Sequence, residues 1–155
     1  MQGKAPSVSR IQKIEHVLPG YTNSLGTVFG GKVMEWIDIA GAVCAIRHAR
    51  KPVVTASIDR VDFLAPARVG HLMVLDAFVN YTGKTSMEIQ VNVKAEDPMT
   101  GEQFLTTEAL LTFVAIDQNC KPSPVPPLLP ETKEEKARFE EGKQRKLDRE
   151  NSRKK

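Results

Sequence analysis

The stretch Gly30-Gly-Lys-Val-Met-Glu-Trp-Ile-Asp-Ile-Ala-Gly-Ala-Val-Cys-Ala-Ile46 decides the architecture. It is long enough for four turns of α-helix and apolar on nearly every side, which is the composition of a covered helix. The sequence beyond it reads differently. In Met87-Glu-Ile-Gln-Val-Asn-Val-Lys-Ala95 every odd position is apolar and every even one polar, the period of a strand with one wet face. Met73, Leu75, Ala77, Val79 and Tyr81 repeat that spacing. The short link Thr82-Gly-Lys-Thr85 between the two predicts an antiparallel hairpin. Asp97-Pro-Met-Thr-Gly101 is a second turn, leading into a strand over residues 105–116. Residues 53–63 form another, ended by the Ala65-Pro66 step. Residues 8–18 are ambiguous, because Val8, Ile11, Ile14 and Val17 are spaced by three and lean helical. One buried helix plus at least four long antiparallel strands predicts an α+β domain. Its sheet wraps one side of the central helix, and something else covers the other.

The bulk numbers bound this picture. A chain of 155 residues with 41% hydrophobic side chains suits one compact domain. Cys44 and Cys120 are too few and too far apart for a disulfide framework or a zinc site. Residues 1–15 lack the apolar core of a secretory signal, so reduced thiols and a cytoplasmic location are expected. The longest apolar run, residues 33–46, is interrupted by Glu35 and Asp38 and falls short of the ~20 residues that cross a bilayer. The net charge of +3 lies wholly after Pro130, where ten Lys and Arg face seven Asp and Glu. The electrically balanced body gives no argument for nucleic acid or a membrane surface. The expected division is a flexible leader (1–6), the folded domain (7–121), a Pro-rich strap (122–130) and a charged tail (131–155), helical or disordered.

Asp38 is the informative residue. On a helix it shares a stripe with Gly31, Met34, Gly41, Ala42 and Ala45. Small side chains there leave room for a ligand or for close approach of a second helix. A carboxylate in an apolar helix costs several kcal/mol unless it is paired or used. The bland reading pairs Asp38 with a cation or with neighbouring amides. Two features favour chemistry. Gly30-Gly31 opens the helix, where unpaired amides stabilise developing negative charge. Asn23 lies just upstream in Pro19-Gly-Tyr-Thr-Asn-Ser24, where the commoner use of Asn is as a turn or cap residue. His16, His48 and His71 have no metal-ligand spacing and read as surface or packing residues. Cys44 reads as inert core, and Trp36 as a packing residue more than a tunnel wall.

Taken in order, Thr22-Asn23, Gly26, Phe29-Gly30-Gly31, Met34 and Asp38-Ile-Ala-Gly-Ala42 resemble the signature of the hot-dog-fold acyl-CoA thioesterases. The subgroup is that of the bacterial short-chain enzymes and brain-type acyl-CoA hydrolases. Val53-Val-Thr-Ala56, Asp62-Phe63, Pro66, Val69-Gly70 and Leu111-Thr-Phe-Val-Ala115 continue the likeness. The resemblance implies a hot-dog domain with residues 8–18 as its first strand, overruling the helical spacing. It implies hydrolysis of acyl-CoA to a free acid and CoA without metal or redox cofactor. Asp38 matches the family carboxylate, acting as general base or nucleophile. Asn23 matches an Asn supplied by the opposite subunit, the Gly31 amide matches the carbonyl-polarising donor, and Thr55 matches a hydroxyl that some members use. Arg60, Lys84, Thr85 and Ser86 match positions that meet the phosphates of CoA. A homo-oligomer is implied, a dimer at least and commonly a trimer of dimers.

Two other classes compete. A non-catalytic acyl-CoA sensor on the same fold usually carries a DNA-binding module, and the residues before the first strand give no room for one. A hydroxyacyl dehydratase wants a catalytic His at the helix start, and none of the three histidines lies there. The fold hosts all three, so the site decides.

Overall fold

The computed structural model describes residues 1–154. The central element is the helix α2 (Gly30–Ala49), preceded by a single turn, α1 (Pro6–Ser9), and the strand β1 (Ile11–His16). Four long strands follow: β2 (Val53–Phe63), β3 (Leu72–Thr82), β4 (Ser86–Glu96) and β5 (Gln103–Ala115). A last helix, α3, spans Lys133–Arg153. The strands form one antiparallel sheet in the order β1-β3-β4-β5-β2.

Alternation sets the core. Met87, Ile89, Val91, Val93 and Ala95 of β4 all point under α2 and are 0% exposed. Leu75 and Ala77 of β3 and Leu111 and Phe113 of β5 join them. From the helix come Ile37, Ala40, Cys44 and Ala45. Gly41 serves this packing, since a Cβ there would stand 3.0 Å from the Phe113 ring. Part of the small-residue stripe therefore brings the helix close to the sheet and does not leave room for a ligand. Burial pushes the Cys44 thiol up to about 12, so it stays protonated at neutral pH.

The opposite side of α2 is bare in a single chain. Ile39, Val43 and Ile46 are each more than two-fifths exposed, on one face by their spacing of four and three. So the sheet covers one face only, and no described residue covers the other.

Residues 8–18 resolve into a turn and a strand. β1 pairs with β3 from Ile11↔Ala77 to His16↔Leu72. The spacing of three misleads because Val8 belongs to α1 and Ile14 points outward.

Both chain ends make contacts with the folded body. In the expected leader, the Lys4 amide donates to Pro127 O at 2.9 Å and Lys4 O accepts from the Leu129 amide at 2.8 Å. The strap has few amides to offer, so its proline carbonyls do the holding. Pro126 O meets the His48 ring at 2.7 Å, and Pro124 O accepts from Lys51 at 2.6 Å. Val125 and Leu128 sink into the core beside them.

The tail is a docked helix. Thr132 and Glu135 close a capping box at its start. Phe139 packs edge-on against Tyr81 with ring centroids 5.0 Å apart, and the Arg138 guanidinium lies 4.8 Å from the Phe78 ring centre. Arg145 grips the buried Glu88 carboxylate through two bonds of 2.7 and 2.8 Å. Gly142 permits this approach, because a Cβ would stand 2.7 Å from Tyr81 Cβ. The polar face of β3–β4, read as wet, is thus largely roofed by α3.

Candidate active site

Asp38 sits half-buried at the middle of α2, on the side away from the inner core. Thr55, near the start of β2, donates from Oγ1 to Asp38 Oδ1 at 2.8 Å. β2 is an edge strand that begins soon after α2 ends, and this return places its third residue beside the helix midpoint. An irregular register between Thr55 and Ser57 marks the same place, and such bulges re-aim side chains. The hydroxyl occupies one carboxylate oxygen and fixes the rotamer. No cation pairs with Asp38 among the described residues, so the bland pairing with Lys or Arg is not the one adopted.

The helix start is open. Phe29 is its N-cap and contributes no side-chain bond. The first intrahelical donors are the amides of Lys32 and Val33, both to Phe29 O. The amides of Gly30 and Gly31 therefore have no acceptor among the described residues, and both residues are exposed. A Cβ at Gly31 would meet nothing within 4 Å. The result is a small field of unsatisfied donors at the positive end of a 20-residue helix. Beside it lies a cavity of about 340 Å³ lined by Val28, Val33, Phe63, Met73 and others.

Asn23 is engaged in its own turn. Its Oδ1 accepts from the Leu25 amide at 2.9 Å, and its Nδ2 donates to Thr27 Oγ1 at 2.9 Å. That leaves the second Nδ2 hydrogen unused. The turn packs at the helix entrance, where Thr22 bridges Val28 and the Phe29 amide donates to Tyr21 O.

Distance divides these parts into two groups. Gly31 and Asp38 lie seven residues apart on one helix, about 10 Å along the axis. One small bound group does not reach both. A single chain holds the carboxylate with its hydroxyl in one place and the open amides with Asn23 in another.

Lys84, Thr85 and Ser86 do lie together in the β3–β4 hairpin. Thr55 and Met87 both register on Phe113, so the hairpin and the Asp38–Thr55 pair lie two strands apart at one end of the sheet, about 10 Å. Arg60 is elsewhere. It registers on Leu110, opposite Gln90, so it lies two strands across from β4 and four residues along it from Ser86, about 16 Å away. Its Nε donates to Asp62 Oδ2 at 2.6 Å. Trp36 is core within the chain, edge-on to Tyr21 with centroids 5.5 Å apart. His48 is buried at the strap, and His71 Nδ1 accepts from the Arg68 amide at 2.9 Å. No group of His, Cys, Asp or Glu fit to hold a metal occurs among the described residues. Nor is any described helix long and apolar enough to cross a membrane.

The model of the thioesterase superfamily matches residues 25–102, half of the chain. An acyl-CoA thioester hydrolase of Bacillus subtilis is 46% identical over 127 residues, covering 82% of this chain and 74% of that one. The chain belongs to the thioesterase superfamily. Its fold is the hot-dog fold: a crystal structure of a hexameric acyl-CoA thioesterase superposes with a TM-score of 0.94 at 47% identity, covering 98% of this chain and 97% of the other. An acyl-CoA hydrolase from Staphylococcus aureus, solved with butyryl-CoA, CoA and CoA disulfide, gives 0.90 at 39% identity over 97% and 92%. Variants of that hydrolase with an aspartate, an asparagine or a threonine changed to alanine share the fold. A cytosolic acyl-CoA thioester hydrolase of Mus musculus is 38% identical over 143 residues, but this thioesterase-superfamily chain spans only 38% of its length.

Sequence reasoning missed the contribution of α3 to the sheet's outer face. The Thr132-x-x-Glu135 capping box was the available signal. Dense charge in the following residues masked it.

Proposed function

We propose that this chain is an acyl-CoA thioesterase that hydrolyses acyl-CoA to a carboxylic acid and CoA. The observation that carries the reading is the Asp38 carboxylate held by Thr55 on a helix whose N-terminal amides are left free. A carboxylate kept without a cation and fixed by one hydroxyl is equipped to act on a bound electrophile. The free Gly31 amide suits the negative charge that grows on a thioester oxygen under attack. Asp38 either draws a proton from a water that adds to the carbonyl, or attacks that carbonyl itself to form an acyl anhydride that water then hydrolyses. In both routes the CoA thiolate departs and the free acid is released. The apolar cavity beside Gly30 suits the acyl chain. The hairpin Lys84-Thr85-Ser86 suits the phosphates, whereas Arg60 would reach them only from another subunit.

A second copy completes the site in this reading. The bare face of α2 and the long edge strand β2, with Val54, Ile58 and Phe63 exposed, form an apolar surface beside an unpaired strand edge. Pairing two copies through it sets two α2 helices side by side. Run antiparallel, they bring Asp38 of one subunit toward Gly31 and Asn23 of the other, closing the gap of about 10 Å. The hexameric relatives support a trimer of such dimers. A cytoplasmic location agrees with the relatives named as cytosolic. Nothing in the proposed chemistry calls for a cofactor.

The test is thiol release from a panel of acyl-CoAs by the purified protein and its Asp38→Ala variant. Turnover falls by three orders of magnitude or more in the variant, on the order of a lost catalytic group. Retention of most of the activity would remove Asp38 from the mechanism.

A further inference from the structure

We infer that Lys146 of the C-terminal helix is a phosphate-binding residue of the substrate site, completing the hairpin Gly83–Ser86 as a pocket for the phosphates of CoA. The inference rests on the acyl-CoA reading of that hairpin and extends it to an element which the sequence placed outside the domain.

Four observations converge. First, α3 is pinned in a fixed register by Phe139, Gly142 and Arg145, and the next residue, Lys146, reaches the hairpin, its Nζ donating to Ser86 Oγ at 3.3 Å. Second, the ammonium lies directly over Gly83, where any Cβ would displace it. The glycine makes a seat for the cation. Third, no carboxylate neutralises it. Neither Lys146 nor Lys84 takes part in an ion pair among the described residues, and the nearby Glu88 is already held by Arg145. Fourth, the Gly83 amide closes the turn on Ser86 O at 2.9 Å, the carbonyls of Lys84 and Thr85 are used, and the amides of those two residues are not. Lys84 O accepts from the Val125 amide at 2.9 Å and Thr85 O from the Ala115 amide at 3.1 Å, while the amides of Lys84 and Thr85 find no acceptor among the described residues.

Two ammonium groups, two hydroxyls and two free amides thus gather on one turn, with no acid among their bonded partners. Phosphate oxygens accept from all of these donor types. A purely structural lysine at this position would more economically bond a carboxylate, as Arg145 does one residue earlier.

The test is calorimetric binding of CoA, dephospho-CoA and pantetheine to the full-length protein, its Lys146→Gln variant and the control Lys143→Gln, whose side chain is exposed one turn earlier. Lys146→Gln weakens CoA about tenfold, the loss of one charge-assisted bond, and the ratio of CoA to pantetheine affinity falls with it. Lys143→Gln shifts that ratio by less than about twofold. A loss that persists with dephospho-CoA assigns the cation to the pyrophosphate, and a loss that vanishes there assigns it to the 3′-phosphate. Lys146→Gln binding CoA as tightly as wild type overturns the inference. Because the readout is binding, failure of the chemistry and failure of this subsite are told apart: a protein that binds CoA through Lys146 yet turns over no acyl-CoA loses the hydrolase reading alone.

Discussion

Thr55 is the residue through which the setting of the Asp38 carboxylate is legible in three dimensions. In sequence it is one β-branched residue among several on a strand, and its ordinary structural reading carries equal weight. Only the return of β2 across α2 brings its hydroxyl 2.8 Å from Asp38 Oδ1. A hydrogen bond to a charged group contributes about 1.5–3 kcal/mol. Thr55→Val, nearly isosteric, is therefore expected to lower kcat/KM by roughly ten- to a hundredfold, with the far-UV circular dichroism unchanged. Thr55→Ser, which keeps the hydroxyl, recovers most of the activity. A Thr55→Val protein as active as wild type would reduce the hydroxyl to a packing contact. Asn23 shows the opposite relation. Its position was evident from the motif, yet within the chain its side chain stabilises its own turn, so any catalytic duty depends on the hydrogen it has to spare.

At the scale of elements, α3 shows how a strongly charged segment becomes part of a fold. Its apolar residues are few, but Phe139 and Gly142 share one side, and Arg145 follows one turn later. The contact centres on Glu88, which is 3% exposed. Removing Arg145 leaves that carboxylate buried and unpaired, a change that costs 3–5 kcal/mol when both partners are deep. Arg145 is about one-third exposed, which discounts the expected loss for Arg145→Met to about 2 kcal/mol in urea unfolding. The double change Glu88→Met with Arg145→Met restores most of it, because two apolar side chains leave no orphaned charge. If the single change proves neutral, α3 is a surface ornament and not a roof over β3–β4. The same logic explains why the strap was readable and its partners were not. Prolines at 122, 124, 126, 127 and 130 announce an extended segment, while the groups that hold it, His48, Lys51 and Lys4, are scattered along the chain.

At the scale of the whole molecule, a pH dependence of stability is expected through that strap. Burial holds the His48 imidazole below its ordinary pKa, so it is neutral in the fold while Nε2 meets Pro126 O. The unfolded chain takes up its proton near pH 6.5. Stability linked to His48 is therefore complete above about pH 6.5 and is lost as pH falls below it toward the folded pKa. Urea midpoints between pH 8 and 5 should fall more steeply for wild type than for His48→Gln, and parallel curves would exclude the linkage. Assembly is the second property at this scale. Val43 stands exposed on the bare face of α2, so Val43→Glu should yield a monomer by light scattering that retains its helix content and loses turnover. A dimeric, active Val43→Glu protein would show that the pairing surface lies elsewhere.

What the sequence alone determined was whatever rests on local period and composition. Strands β2 to β5, the central helix, the extended strap and the singling out of Asp38 within its glycine-led helix follow from side-chain alternation, proline geometry and the cost of a lone carboxylate. The tertiary structure decided what depends on chain return. It showed that Gly41 is for helix–sheet packing, that residues 11–16 pair as a strand, and that Lys4 ties to the strap. It set Arg60 apart from the hairpin and brought Lys146 to it. Such contacts join residues dozens of positions apart, and their energy is realised only when the sheet has closed around the helix. No local pattern encodes them.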